Sequence, residues 1–223
     1  MHNWRHICEQ LHKTGDIPGI RQLARDGFAE YGVYPDSIET CEGACFFIAR
    51  ENNKKILVVC GEQKYFDEFD GTEEMIGDIR TKACELTNRN SRVIRKIFPY
   101  TSPKNHKGVN LTMGLGDRLG LASPGHLRLV KGKGVFPVLA QQSIRELNLT
   151  KRTYDDVLSA ASWAVFQEGY REGFGADGDH LKTAEEVRMA LDCGYTMITL
   201  DCSEHIDNSA AGISGKELER SSL

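Results

Sequence analysis

Two acidic residues and a histidine stand close together in the segment GADGDHLKT, residues 175–183. Asp177, Asp179 and His180 have side chains that can bind a divalent cation, and a carboxylate can also act as a general base. The same residues would equally suit a polar turn between two elements. In an extended strand Asp177 and Asp179 share one face and His180 lies on the other, unless the chain turns, and Gly178 would permit such a turn.

Polar residues follow three other strand-like segments in the same half of the chain. These residues are Asp117 and Arg118, then Gln141, Gln142 and Arg145, and finally Asp201, Glu204 and His205. Catalytic groups of parallel α/β folds gather at the carboxyl ends of the strands. The pattern therefore predicts that these rim residues line the active site of an enzyme at that edge of the sheet. The glycine-rich segment GLGDRLGLASPG matches neither common nucleotide-binding pattern, so nucleotide binding is not expected.

The elements that carry these residues alternate between strand and helix over residues 111–202. The expected strands are NLTMGL, GVFPVLAQQ, GFGADGDH and YTMITLDC, and the expected helices begin near Ser123, Thr153 and Thr183. Ser123 followed by a proline, and Thr153 and Thr183 each followed by an acid three residues later, are typical of helix N-termini. This alternation predicts an α/β fold, either a parallel sheet or about four βα units of a TIM-like (β/α) barrel. The open edges of such a half-barrel must be covered by missing sequence, by the N-terminal layer or by a second copy.

The N-terminal region, residues 1–108, is predicted to be a small α+β layer. WRHICEQL and GIRQLARDGFAEYG have helical spacing, and ACFFIAR and KILVVCGE flank a polar turn as a β-hairpin does. The segment EEMIGDIRTKACELTNRNSRVIRKIF, residues 73–98, is expected to be helical in two pieces. The proline-containing stretch 99–108 is the expected boundary to a barrel half over 109–208, and 209–223 is expected to be a loose tail.

Composition excludes some classes of protein. The chain has 223 residues and a formal charge of −4, which argues against an electrostatic nucleic-acid binder. No apolar run approaches the roughly 20 residues of a membrane span, and the N-terminus lacks the apolar region of a signal peptide, so a cytoplasmic protein without membrane contacts is expected. The seven cysteines have no zinc-site spacing and are expected to be reduced structural thiols.

At these same residues the sequence resembles the tagaturonate epimerase family, bacterial enzymes of hexuronate catabolism. The resemblance lies in GLGDRLGLASPGHLR, FPVLAQQSIREL, SWAVFQEGYREGFGADGDHLK and TLDCSEHIDN, which occur in order over about 110–208. The resemblance implies a metal-dependent enzyme with a TIM-barrel-like fold that interconverts D-tagaturonate and D-fructuronate. It also implies that Asp179 is the catalytic proton acceptor and that His180 binds a divalent cation.

The family's chains are much longer and carry a glutamate proton donor and two further histidine ligands on later strands. The resemblance therefore implies that this chain is an N-terminal half, inactive or weakly active alone, which a missing C-terminal half or a second copy would complete. Inversion at C4 of a ketouronate is compatible with retro-aldol chemistry, in which Asp179 takes the C4 hydroxyl proton. Arg118 or Lys182 would hold the substrate carboxylate, with Gln142 and Asp177 as further substrate contacts. Another metal-dependent sugar-acid aldolase or isomerase, and a non-catalytic subunit, remain alternatives.

Overall fold

The computed structural model describes residues 3–61, 64–108 and 111–206 as a mixed α/β protein with two sheets. One sheet is antiparallel and has the strand order β1-β2-β3-β5-β4, and the other is parallel and has the order β6-β7-β8-β9. None of the described helices is both long and apolar enough to cross a membrane. The tail expected over 209–223 lies outside the described residues.

The N-terminal layer begins with helices and continues as the antiparallel sheet. Its helices are α1 (Trp4–Thr14), α2 (Ile17–Asp26), α3 (Phe28–Tyr31) and α4 (Asn88–Ile97). Its strands are β1 (Glu39–Cys41), β2 (Ala44–Glu51), β3 (Lys54–Cys60), β4 (Thr72–Ile76) and β5 (Ile79–Glu85). The predicted hairpin is confirmed, because β2 pairs with β3 in antiparallel register from Cys45–Cys60 to Glu51–Lys54.

The helical prediction for the first part of residues 73–98 is wrong. Residues Thr72–Ile76 and Ile79–Glu85 form an antiparallel hairpin in which Ile76 pairs with Ile79 across Gly77 and Asp78. Gly77 has a φ of 63°, a conformation that glycine adopts without steric cost, and Gly-Asp is a typical two-residue hairpin turn. The helical part is confined to α4, which begins after the Thr87 cap.

Alternation along β2 explains how the antiparallel sheet is covered on both faces. Phe47 and Ala49 belong to a core shared with α1 and α2. Phe46 and Ile48 belong to the core on the opposite face. Successive side chains of a strand point to opposite faces, so a strand rich in apolar residues at every position is buried on both sides.

The second half of the chain alternates strand and helix as the sequence predicts. Its strands are β6 (Thr112–Gly114), β7 (Phe136–Gln142), β8 (Gly175–Leu181) and β9 (Met197–Leu200). Its helices are α5 (Ser123–Val130), α6 (Ile144–Thr150), α7 (Tyr154–Gln167) and α8 (Ala184–Cys193). The four strands pair in parallel and curl as half of a barrel does, and the described residues do not close into a TIM barrel.

The sequence located the starts of α7 and α8 correctly. Thr153 with Asp156 and Thr183 with Glu186 form reciprocal capping boxes, each satisfying two backbone N–H groups at a helix start. Helix α5 differs in detail, because it begins at Ser123 itself and Ala122 is the cap. Helix α6 was not predicted, although Ser143 and Glu146 form a third capping box of the same kind.

Helix α7 joins the two halves because it is buried on nearly all sides. Ala161 and Val165 pack into the core of the parallel sheet. Trp163 and Phe166 pack instead against the antiparallel sheet and α4, where the Phe166 ring lies 5.5 Å from that of Phe98. A helix that is apolar all round is typical of the interior of a protein.

The prediction that all cysteines are reduced thiols is corrected at one pair. Cys8 of α1 and Cys60 at the end of β3 form a disulfide with a Cα–Cα distance of 6.2 Å, within the usual range. Cys60 is buried, as expected for the end of an apolar strand. Nothing in the sequence spacing indicates this pair, because α1 reaches β3 only when it packs across the sheet.

Candidate active site

The carboxyl ends of β7, β8 and β9 surround a cleft of about 650 Å³. Three loops after these strands contribute to it, and its polar lining includes Arg145, Asn148, His180, Lys182 and Asp201. Small-molecule sites of α/β proteins lie at this end of a parallel sheet, and sites typically have volumes of roughly 300–1,000 Å³. The predicted rim residues His180 and Lys182 therefore share one concave surface.

The chain does turn within this segment, but the turn lies at His180 rather than at Gly178. His180 has a φ of 55°, and the pairing of β8 with β9 shifts register between Gly178 and Leu181. A non-glycine residue in this left-handed region costs about 1–2 kcal/mol. The turn brings His180 Nε2 to 3.6 Å from Asp179 Oδ1. The two side chains therefore lie close together, although neighbours in a regular strand point to opposite faces.

Asp179 lies in surroundings that favour its protonated form. Partial burial raises the pKa of Asp179, the nearby His180 lowers it, and the carboxylates of Asp177 and Glu146 raise it. The net result is a pKa above the ordinary value of an aspartate. A carboxylate that holds a proton more firmly is a stronger base when it is ionised, which suits a proton acceptor.

Asp177 is fully buried in the middle of the parallel sheet. Its Oδ2 accepts hydrogen bonds from Thr199 Oγ1 at 2.8 Å and from Gln141 Nε2 at 3.3 Å. Its Oδ1 is buried and has no hydrogen-bond partner among the described residues. A buried carboxylate oxygen normally has a donor, so this atom is suited to a polar group from outside the described residues.

Gln142 and Arg118 lie apart from the cleft. Gln142 is fully buried, donates from Nε2 to the carbonyl oxygen of Asp117 at 3.0 Å, and has no partner for its Oε1 among the described residues. Arg118 is exposed and forms an ion pair with Glu146, the acid of the third capping box. The guanidinium group of Arg118 therefore already has a carboxylate partner.

Lys182 is held by two carboxylates at the edge of the cleft. Its Nζ lies 2.6 Å from Glu204 Oε1 and 3.7 Å from Asp201 Oδ2. The hydrogen bond with Glu204 raises the pKa of Lys182, and the same contact lowers the pKa of Glu204. Lys182 is thus positively charged, and any substrate carboxylate would compete with these two partners.

The described residues supply at most part of a metal site. No group of three or more His, Cys, Asp or Glu side chains within residues 3–61, 64–108 and 111–206 is placed to hold a metal ion. A catalytic zinc ion usually has three protein ligands. The pair of Asp179 and His180 would leave the remaining ligands to residues outside the described part of the chain.

Glu146 is a residue of this region that the sequence analysis missed. It links three features, because it caps α6, pairs with Arg118 and raises the pKa of Asp179. The signal was present in the sequence as Ser143 followed by an acid three residues later, the pattern used to place α7 and α8. Thr199, which donates to Asp177, had no such signal, because the contact joins two neighbouring strands.

The fold and the cleft place the chain among the α/β proteins with a curled parallel sheet and a site at its carboxyl ends. The model of one family, UxaE (tagaturonate epimerase), matches residues 34–222. The tagaturonate/fructuronate epimerase of Thermotoga maritima is 41% identical over 190 residues, which are 85% of this chain and 39% of that protein.

Solved structures give the same result. A glycerol complex of the fructuronate-tagaturonate epimerase UxaE from Cohnella laeviribosi has a TM-score of 0.80 and 48% identity, and the match covers 89% of this chain and 40% of that one. The native crystal structure of the same enzyme has a TM-score of 0.79 and 50% identity, with 85% and 38% covered. The chain belongs to the tagaturonate epimerase family, as the sequence resemblance predicts, and spans about two fifths of the length of these relatives.

Proposed function

We propose that this chain is the N-terminal part of an epimerase that interconverts D-tagaturonate and D-fructuronate. The relatives that it matches carry the names of tagaturonate and fructuronate epimerases. The single observation that supports a catalytic role is the turn at His180, which sets Asp179 and His180 side by side at the end of β8. Of the two, His180 lines a cleft large enough for a six-carbon sugar acid, and Asp179 lies next to it.

The proposed reaction proceeds by retro-aldol cleavage and re-addition. The two ketouronates differ at C4, which is β to the C2 ketone, so enolisation towards C3 cannot invert it. Asp179 takes the proton of the C4 hydroxyl, the C3–C4 bond breaks, and its electron pair forms an enediolate over C2 and C3. The aldehyde at C4 rotates, the C3–C4 bond re-forms on the other face, and Asp179 returns the proton.

We assign His180 one ligand position of a divalent cation. The exposed imidazole lies beside a carboxylate at the mouth of the cleft, which is a common pairing in metal sites. Because the described residues form no group of three ligands, the other ligands would come from outside them.

Four further residues are proposed as substrate contacts. Asp177 and Gln142 are buried and do not line the cleft, but each carries one acceptor oxygen without a partner among the described residues, which we propose for hydrogen bonds from substrate hydroxyls. Lys182, which lines the cleft, and Arg118, which lies outside it on the loop after β6, carry the positive charges proposed to hold the substrate carboxylate. Each of these two cations would exchange a carboxylate of its own chain for that of the substrate.

The two edges of the parallel sheet support a partner that completes the structure. Strand β6 is exposed at all three residues, and Met113 within it and Leu111 just before it are about half exposed. At the other edge, Leu200 of β9 is 64% exposed. Parallel sheets are normally covered, so we propose that a C-terminal half, or else a second copy, pairs with these edges.

The first prediction concerns turnover. We expect this chain alone to interconvert D-tagaturonate and D-fructuronate very weakly, and to gain activity when it is joined to the C-terminal part of the Cohnella laeviribosi enzyme that it does not match. The measurement is proton NMR of the two ketouronates at equal protein concentration. In the joined protein Asp179→Asn should lower kcat by at least about 100-fold, because it removes the proposed general base.

The matched control is Asp192→Asn, an exposed aspartate of α8, which should leave kcat unchanged. An Asp179→Asn variant that folds and keeps its activity would contradict the role of Asp179. Uptake of solvent deuterium at C4 would argue against the retro-aldol route, because that route keeps the C4 hydrogen on its carbon.

The second prediction concerns the cation. Calorimetry with Mn²⁺ should show weak binding to this chain, because one histidine and one carboxylate make an incomplete ligand set. His180→Ala should abolish that binding, whereas His12→Ala in α1 should not. Tight binding by this chain that survives His180→Ala would show that the metal site lies elsewhere.

A further inference from the structure

A second cleft lies in the seam between the two halves of the molecule and shares no residue with the candidate active site. We call it the seam cleft, and its volume is about 370 Å³. Its lining comes from the β2–β3 hairpin, from the loop after β6 and from one side of α7. The residues that matter here are Arg50, Asn53, Lys55, Trp163 and Gln167.

The charged residues in the lining of the seam cleft are both cations. Arg50 has no ion pair among the described residues, and Lys55 donates from Nζ to the amide oxygen of Gln167 at 2.6 Å. Acidic residues are absent from the described lining. Two positive charges that share a cleft without a carboxylate are an arrangement that an anion would stabilise.

Glu168, the acid whose charge acts on Lys55, already has other partners. Its Oε2 lies 3.2 Å from Arg128 Nε, and its Oε1 accepts a hydrogen bond from Gln167 Nε2 at 2.7 Å. Partial burial lowers the pKa of Lys55, and so do the positive charges of Arg50 and Arg128, against the opposing effect of Glu168. Because Glu168 is paired with these other groups, the positive charge of Lys55 has no carboxylate partner of its own among the described residues.

We propose that the seam cleft is a binding site for a small anionic ligand of the size of a sugar, carrying a carboxylate or a phosphate group. Arg50 and Lys55 bind the anionic group, because charge-assisted hydrogen bonds to an oxyanion are the strongest contacts they can form. The amides of Asn53 and Gln167 supply donors and acceptors for hydroxyl groups. Trp163, Leu121 and Ala164 form the apolar wall. This site is independent of the proposed epimerase activity.

The two tryptophans give this proposal a direct readout. Trp163 lines the seam cleft, whereas Trp4 belongs to the core on the opposite face of the antiparallel sheet. Each indole N–H gives its own peak in a proton–nitrogen NMR spectrum of this chain. Addition of inorganic phosphate or of glucuronate at millimolar concentration should shift the Trp163 peak and leave the Trp4 peak in place, and glucose should shift neither.

Arg50→Gln and Lys55→Gln should each weaken the binding about tenfold or more, because each removes a charged partner of the ligand. Lys133→Gln, which removes an exposed cation outside the seam cleft, should not weaken it. The unliganded spectra of the variants show whether they are folded. A response to phosphate alone or to glucuronate alone supports the site and identifies its anion. No response to either, an equal response to glucose, or wild-type binding by both seam variants overturns the proposal.

Discussion

At the scale of single residues, Asp117 shows how a polar strand end can serve structure rather than chemistry. Its carboxylate accepts hydrogen bonds from the backbone N–H groups of Leu119, Gly120, Ala122 and Ser123, and from the Ser123 hydroxyl. These contacts fold the loop between β6 and α5 around one buried side chain. The predicted rim residue Asp117 therefore holds the conformation of this loop.

The third prediction follows from this loop. Asp117→Asn should lower the free energy of unfolding by about 2–3 kcal/mol, because hydrogen bonds to a charged group are lost and buried donors are left without partners. Urea unfolding of wild type and variant measures the difference, and Asp192→Asn should change it by less than about 0.5 kcal/mol.

The same loop makes the stability difference depend on pH. Burial alone would raise the pKa of Asp117, but the hydrogen bonds from the Ser123 and Ala122 backbone lower it, and the net pKa is below the ordinary value. A group with a lowered pKa in the folded state contributes fully above its unfolded pKa, about 3.9, and loses that contribution as the pH falls further. A difference between wild type and Asp117→Asn that grows below pH 4 would contradict this account.

Residue-scale predictions from sequence succeed where the interaction is local. The pairs of Thr153 with Asp156 and Thr183 with Glu186 are three residues apart, so pattern alone locates them. The left-handed turn at His180 has no local signal, since a histidine there is strained and the neighbouring glycine was the expected place for the turn. The hydrogen bond from Lys182 to Glu204 could not be predicted either, because it joins residues that follow two different strands.

At the scale of elements, the wrong helical prediction for residues 73–85 has a physical cause. Ile76, Ile79 and Ala83 are three and four positions apart, which is the spacing of a helix. In the structure Ile79, Thr81 and Ala83 instead share one face of β5. The Gly77-Asp78 turn between the two strands was the decisive signal, and it marks a hairpin. Elements with strong end signals, such as α7, α8 and the β2–β3 hairpin, could be predicted from the sequence. The β4–β5 hairpin has a weaker signal, but its turn residues could also have identified it.

The fourth prediction tests why Gly178 is a glycine. It does not adopt the left-handed turn, but a Cβ there would lie 3.0 Å from Leu181 Cδ1 and 3.1 Å from both Ala190 Cβ and Ile198 Cδ1. Gly178→Ala should therefore lower the free energy of unfolding by about 1–3 kcal/mol through overpacking. Urea unfolding measures this change.

Gly125→Ala is the matched control, because a Cβ at this position of α5 would meet nothing within 4 Å. That substitution should be neutral or should stabilise the protein by up to about 1 kcal/mol, since alanine is the better helix former. Equal destabilisation by both substitutions would show that the close packing of β8 against α8 and β9 is not the reason.

At the scale of the whole molecule, the two predicted regions share a core. The antiparallel sheet packs against Trp163 and Phe166 of α7, which belongs to the second region. Glu39 of β1 also accepts a hydrogen bond from Arg171 at 2.6 Å, across the same seam. The boundary expected at residues 99–108 remains a prediction, and sequence could not indicate the shared core because it depends on which face of α7 meets which sheet.

The fifth prediction is that the two regions unfold together. Phe166→Ala should lower the free energy of unfolding by about 3–5 kcal/mol, because it opens a cavity in the core that both regions share. The transition should stay single when it is followed by circular dichroism and by tryptophan fluorescence. Leu149→Ala, at an exposed residue of α6, should change stability by less than about 0.5 kcal/mol, and separate transitions for the two probes would contradict the shared core.

The two open edges of the parallel sheet also determine the symmetry of any assembly built from copies of this chain alone. β6 and β9 are different strands, so a contact in which β6 of one copy pairs with β9 of the next is heterologous, or head-to-tail. Such a contact closes into a ring when the curl of each copy divides the circle evenly. With any other curl it continues without end, and the product is a filament.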